Sequence, residues 1–227
     1  MFSKVFLAIT AKEMETVLPQ RTAYMACHFS PGGAGLSNLP SALPKGSIVL
    51  LDDSMPVQGH DPDIVTKQLT ELAAAFSVRA ILLDFQRPPT EESQMMVSAI
   101  LENRICQVAT TAAYARAACP VFLPPPPPNK SLGEYLKPWK KNGVFLELCP
   151  EGMEITVTKG GSRFVSAFPT STLPLVHDRL HCHYDVTVSP EKAVFTLFRN
   201  REDLAALARE AESLGVLGTV GLYQELK

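Results

Sequence analysis

The sequence predicts an α/β fold, an irregular (β/α) barrel that carries an antiparallel β-rich insertion in its second half. Three observations point there. Over roughly the first 125 residues, short apolar runs alternate with segments of helical periodicity, the pattern of parallel strands joined by helical crossovers. Between about residues 143 and 198 the pattern changes to hairpins. After residue 200 an amphipathic helix and an apolar strand return. The α/β parts flank the hairpins, so residues 1–227 are taken as one barrel-like domain with 143–198 as an insertion. Eight regular units usually need about 250 residues, so the barrel is expected to be irregular. An open doubly wound sheet is the competing architecture.

Val5 to Thr10 reads as the first strand, Ala11 to Leu18 as a short helix stopped by Pro19, and Ala23 to Phe29 as the second strand. The loop Ser30-Pro31-Gly32-Gly33-Ala34-Gly35 follows. It lacks the strand–glycine–helix context of a phosphate loop and reads as a rim loop. Ile48 to Leu51 is the third strand. Asp61 caps the next helix, Pro62 fits its first turn, and Val65, Leu69, Leu72 and Phe76 form one apolar stripe. Ala80 to Phe85 is the fourth strand. Thr90 caps a helix whose Glu91 and Glu92 suit its positive end, with Met96, Ala99 and Ile100 buried. Ile105 to Thr110 and Pro120 to Leu123 extend the sheet.

Pro124 to Pro128 are five consecutive prolines, necessarily extended and excluded from a central strand. The run reads as a stiff wall at the mouth of a site or as a docking segment for a proline-reading partner. Leu132 to Lys141 is a short amphipathic helix that packs Tyr135 and Trp139 under the prolines. Val144 to Leu148, Glu154 to Thr158, Arg163 to Phe168, Tyr184 to Val188 and Ala193 to Phe198 are the hairpin strands. Asn200 caps a helix through Ser213, with Leu204, Leu207, Ala211 and Leu214 inward and Gly215 stopping it. Val216 to Gln224 is the last strand.

Composition narrows the function classes. A chain that is 46% hydrophobic can bury a substantial core. A formal net charge of −2 gives no reason to expect nucleic acid or an anionic membrane as partner. No apolar run approaches the ~20 residues of a membrane helix. The start, from Met1 to Thr10, is too weakly apolar for a signal peptide and reads as a strand, so a cytoplasmic protein is expected. The five cysteines form no Cys-x-x-Cys pair and read as reduced, mostly buried thiols. No motif calls for a cofactor.

The most informative segment is Asp84-Phe85-Gln86-Arg87-Pro88, where a buried apolar strand emerges into polar residues. In α/β folds that edge is where ligands bind. Arg79 to Pro88 resembles the fourth-strand signature of family 18 glycoside hydrolases, D-G-x-D-x-D-W-E-x-P. Asp84 falls on its last aspartate, Phe85 on the aromatic and Pro88 on the proline. The position of the proton-donating glutamate holds Gln86, and the two earlier aspartates are replaced by Arg79 and Leu82. The resemblance implies a TIM-type barrel and a site that has lost its acid. A carboxamide has no proton to give near neutral pH, and general acid–base help is worth roughly 10²–10⁴-fold in rate. The resemblance therefore implies a carbohydrate-binding, non-hydrolytic relative, a pseudoenzyme. Glu147 and Asp53 remain as acids that can take over proton donation.

The expected ligand is an oligosaccharide or similar polar small molecule held at the strand carboxyl ends. Asp84, Gln86, Arg87, Tyr184 and Asp185 are expected to contact it, with Asp52 and His28 on the rim. Tyr184-Asp185 enters through a second resemblance, to the M-x-Y-D motif that the same family carries on a later barrel strand. Asp52 and Asp53 end an apolar strand and point to opposite faces. Either can bond backbone amides of a neighbouring loop. The competing enzyme reading is a metal-dependent hydrolase, in which His181 and His183 lie on one face of a strand and present two imidazoles to one zinc. A third reading is an interaction protein docking through the proline run.

Overall fold

A computed structural model describes residues 4–169 and 171–227. The start of the segment read above for a signal peptide, Met1 to Ser3, lies outside them. Fourteen strands and six α-helices are described. The strands are β1 (Phe6–Ile9), β2 (Thr22–Phe29), β3 (Leu36–Ser37), β4 (Ile48–Asp52), β5 (Ala80–Asp84), β6 (Gln107–Thr110), β7 (Val121–Leu123), β8 (Val144–Leu148), β9 (Gly152–Thr158), β10 (Gly161–Ser166), β11 (Leu175–His177), β12 (Cys182–Val188), β13 (Lys192–Phe198) and β14 (Gly218–Leu222). The helices are α1 (Ala11–Met14), α2 (Pro62–Phe76), α3 (Glu91–Glu102), α4 (Leu132–Leu136), α5 (Arg201–Ser213) and α6 (Tyr223–Leu226).

Strands β1, β2, β4, β5, β6, β7, β8 and β14 pair side by side in parallel, and β1 pairs with both β2 and β14. The sheet therefore closes on itself, an eight-stranded parallel barrel rather than an open sheet. β3 adds only a short antiparallel edge to β2. The irregularity lies in the crossovers. Three helices exceed ten residues, α2, α3 and α5. The other connections are short helical turns, loops or, between β8 and β14, the insertion.

Period-two alternation divides the barrel core into two layers. Phe6, Ala8, Ile48, Leu50, Ala80, Leu82, Phe122 and Phe145 fill the interior. Their neighbours Val49, Leu51, Ile81 and Leu83 face outward and meet Val65 and Leu69 of α2 and Met96 and Ile100 of α3. Continuing the inward set upward by two places Asp52 above Leu50, Asp84 above Leu82 and Glu147 above Phe145. The barrel is thus apolar inside and turns acidic at its carboxyl end.

The insertion is a five-stranded antiparallel sheet in the order β10-β9-β13-β12-β11. It leaves the barrel directly after β8, because β9 already begins at Gly152 rather than Glu154. A Cβ on Gly152 would stand 1.8 Å from the Ala167 carbonyl oxygen, so only glycine lets these strands approach. α5 is capped by Asn200, whose side chain accepts from the amides of Glu202 and Asp203.

Several expected boundaries are corrected. The first helix stops at Met14, three residues after it begins. Leu214 is 48% exposed instead of inward, since it lies one residue past the end of α5. The last strand ends at Leu222 and the chain turns into α6. Leu132 to Lys141 splits into α4 and a 3-10 turn over Lys137–Trp139, where Pro138 has no amide hydrogen to continue an α-helix. β3 and β11, two and three residues long, have no distinct sequence pattern. Among the described residues no helix is long and apolar enough to cross a membrane.

Candidate functional site

The candidate site is the carboxyl-end mouth of the barrel. His28, Asp52 and Asp84 are in-register neighbours on β2, β4 and β5, so three of the residues singled out from the sequence stand in one row. A cavity of about 330 Å³ opens beside the row, lined by Asp84, Gln86, Arg87, Thr111, Pro124 and Glu147 among others. Phe122 adds an apolar floor. That volume lies at the lower end of the ~300–1,000 Å³ common for small-molecule sites.

The loop after β5 is held from below by Asp53. This aspartate is 3% exposed, and its two carboxylate oxygens accept the backbone N–H groups of Gln86 (2.8 Å) and Arg87 (3.0 Å). Thr111 adds a hydroxyl donated to the Phe85 carbonyl at 3.0 Å. Phe85 itself points outward into the aromatic cluster, edge-on to Phe29 and Tyr114. One strand end therefore sends its aromatic into the helical layer while Asp84 and Gln86 face the cavity. Both Asp53 carboxylate oxygens are committed to this loop. Asp52 accepts the Ser54 amide at 2.8 Å. The Arg87 guanidinium donates to the Ser54 carbonyl at 2.6 Å, tying it to the β4 loop.

Two carboxyls, Asp84 and Glu147, and one guanidinium, Arg87, line the cavity. Burial, opposed by the bond that the Gln86 carboxamide N–H donates to its carboxylate, pushes the Asp84 carboxyl above its ordinary range, with Asp52 and Asp53 adding repulsion. Glu147, on the seventh barrel strand, is pushed up to about 7 by burial first and then by Asp84, Glu151 and Glu225. None of the ion pairs among the described residues includes Glu147. The chemistry available is one carboxyl hydrogen-bonded by a carboxamide and, lining the same cavity, a second carboxyl that burial pushes up to about 7.

The second resemblance does not survive the fold. Tyr184 and Asp185 lie on β12 of the antiparallel sheet, not on a barrel strand. Asp185 accepts the amide of its neighbour Val186 at 2.8 Å, and the Tyr184 ring lies 6.3 Å from that of His177. The residues continue into a hairpin because β-branched Val186, Thr187 and Val188 pair with β13. Nor do the two histidines share a metal face. His181 precedes the strand in a left-handed conformation, φ 46°. Its imidazole meets Glu210 at 2.7 Å, while that of His183 meets Asp203 at 2.8 Å. Each ring is thus turned to a different turn of α5. Among the described residues no group of three or more metal-ligating side chains converges.

Sequence reasoning missed Arg199. It is 1% exposed, and its guanidinium donates to the carbonyls of Leu180 (2.9 Å), His181 (3.2 Å) and Pro126. It pins the proline run to the insertion, and Tyr135 adds a hydroxyl bond to the Pro124 carbonyl at 2.9 Å. Of the run, Pro124 lines the mouth cavity, and Pro125, Pro127 and Pro128 line a separate pocket against the insertion. An arginine directly after the apolar strand Ala193–Phe198 was the available signal.

The fold and the site define a TIM-type barrel with an acidic pocket at the strand carboxyl ends. Solved structures of the same architecture are family 18 chitinases and a spore enzyme. The spore cortex-lytic enzyme SleL of Bacillus cereus is 12% identical, with a TM-score of 0.56 over 99% of this chain and 71% of its own. The family 18 chitinase of Cycas revoluta is 10% identical, with a TM-score of 0.55 over 96% and 94%. That structure is a double mutant with a glutamate-to-glutamine change, in complex with (GlcNAc)4. A class V chitinase of Nicotiana tobaccum, a glutamate-to-glutamine mutant in complex with NAG4, is 9% identical, with a TM-score of 0.52 over 99% and 94%. At these identities the likeness establishes the fold. No protein-family model and no curated protein matches the chain.

Proposed function

We propose that this protein binds an oligosaccharide of N-acetylated amino sugars at the barrel mouth, with the fourth-strand route to hydrolysis removed by Gln86. The observation that carries the proposal is the placement of Asp84 at the end of the fourth barrel strand and of Gln86 in the loop that follows, both lining one cavity with Glu147. Sugar hydroxyls and acetamido N–H groups need acceptors, which Asp84 and the Gln86 carbonyl oxygen supply. Phe122 and Pro124 offer apolar surface to the C–H face of a ring. The glutamate-to-glutamine chitinases that hold (GlcNAc)4 and NAG4 support the reading, since they show a barrel of this architecture occupied by such a ligand.

Isothermal titration with (GlcNAc)4 tests it. Binding to the wild type is expected, with Asp84→Ala weakening it about 10- to 100-fold, the worth of a hydrogen bond to a charged group. Binding that Asp84→Ala leaves unchanged, or no binding by the folded wild type, contradicts the proposal.

A further inference from the structure

We infer that Glu147 is a displaced general acid, so that this site cleaves the glycosidic bond of its bound oligosaccharide without a fourth-strand glutamate. The inference rests on the carbohydrate reading above and goes beyond it by assigning a reaction to a residue on a different strand.

Geometry comes first. Glu147 is the inward residue of the seventh barrel strand, two above the interior Phe145. It lines the same cavity as Asp84 and Gln86. A ligand that touches the Asp84–Gln86 pair therefore shares its cavity with a second carboxyl. Burial and three carboxylates raise Glu147, while the exposed Arg87 on the same cavity donates to the Ser54 carbonyl. Asp84 comes from β5, Glu151 from the link to β9 and Glu225 from α6. Tyr135 of α4 and Cys149, the residue after β8, are near enough to feel its charge and are themselves held neutral, pushed up to about 12. The one buried guanidinium in the neighbourhood, Arg199, acts on Glu151. A buried carboxyl in a cleft, pushed up to about 7, suits a general acid.

The reaction balances with water as the second reactant. The Glu147 O–H proton passes to the glycosidic oxygen as the bond between that oxygen and the anomeric carbon breaks. The bonding pair leaves with the oxygen, which becomes a free hydroxyl. Water supplies the oxygen that bonds to the anomeric carbon and the proton that restores the Glu147 acid. Asp84, held by the Gln86 carboxamide, offers its carboxyl oxygens to the reacting ring.

The test uses unactivated (GlcNAc)4, because its alkoxide leaving group depends on protonation, with products followed by chromatography and binding by calorimetry. Slow turnover by the wild type is expected, falling as pH rises through about 7. Glu147→Gln should lose about 10²-fold or more of that rate while keeping its affinity within about threefold. Gln86→Glu placed in the Glu147→Gln protein should restore turnover, which shows that the variant is folded and lacks only an acid. Binding by the wild type with no turnover, or turnover that Glu147→Gln leaves intact, overturns the inference and leaves the binding reading standing. No binding by the folded wild type overturns both.

Discussion

Position 86 places a carboxamide at the barrel mouth, a group with no proton to give near neutral pH. Gln86 keeps its backbone on Asp53 and its side chain on Asp84, so the loop is held at both its amide and its side chain. Glu147 has a measurable consequence apart from any activity. Its carboxyl is raised from the ordinary 4.5 to about 7 in the folded protein. Between those values the native state holds a proton that the unfolded chain has released, so its contribution to stability falls as pH rises through that window. Glu147→Gln removes the effect. Urea denaturation should find the variant more stable than wild type by about 1–3 kcal/mol at pH 8, because each tenfold change in proton affinity is worth ~1.4 kcal/mol. The advantage should largely disappear near pH 4.5. An advantage that does not change with pH contradicts the assignment.

Among the elements, the barrel strands and long helices were legible in the sequence, and the insertion only in outline. Val65, Leu69 and Leu72 wrote α2 as a stripe, Asp61 and Thr90 wrote the starts of α2 and α3, and Ala80–Leu83 wrote a strand buried on both sides. Of the contacts expected from the sequence, Asp84 and Gln86 line one cavity, and Asp52 and His28 stand in register beside Asp84, because ends of barrel strands share one rim. Tyr184-Asp185 misled, since two residues cannot tell a barrel strand from a hairpin when the pairing partner is distant in sequence. Arg199 was hidden for the same reason: its acceptors lie about 20 and 70 residues away. Arg199→Ala leaves those carbonyls unpaired and should cost about 3 kcal/mol in chemical denaturation. A loss under about 1 kcal/mol would show the proline run to be held by other means. Gly152→Ala, driven against the Ala167 carbonyl, should destabilise by about 1–3 kcal/mol. A neutral result would mean that β9 and the chain after β10 separate readily.

For the whole molecule, closure of the barrel brings the ends of strands from both halves of the chain to one rim. Asp84 and Glu147 are 63 residues apart in sequence and line one cavity. The insertion between the seventh and eighth strands is tied to the proline run by Arg199, and Pro124, the first proline of that run, lines the mouth. The most direct test is a crystal structure of the Glu147→Gln protein soaked with (GlcNAc)4. Sugar density at the barrel mouth, with an acetamido or hydroxyl group against Asp84 and a glycosidic oxygen facing residue 147, is the predicted result. Density on the antiparallel sheet near Tyr184, or a mouth filled only by water at saturating sugar, would contradict the account.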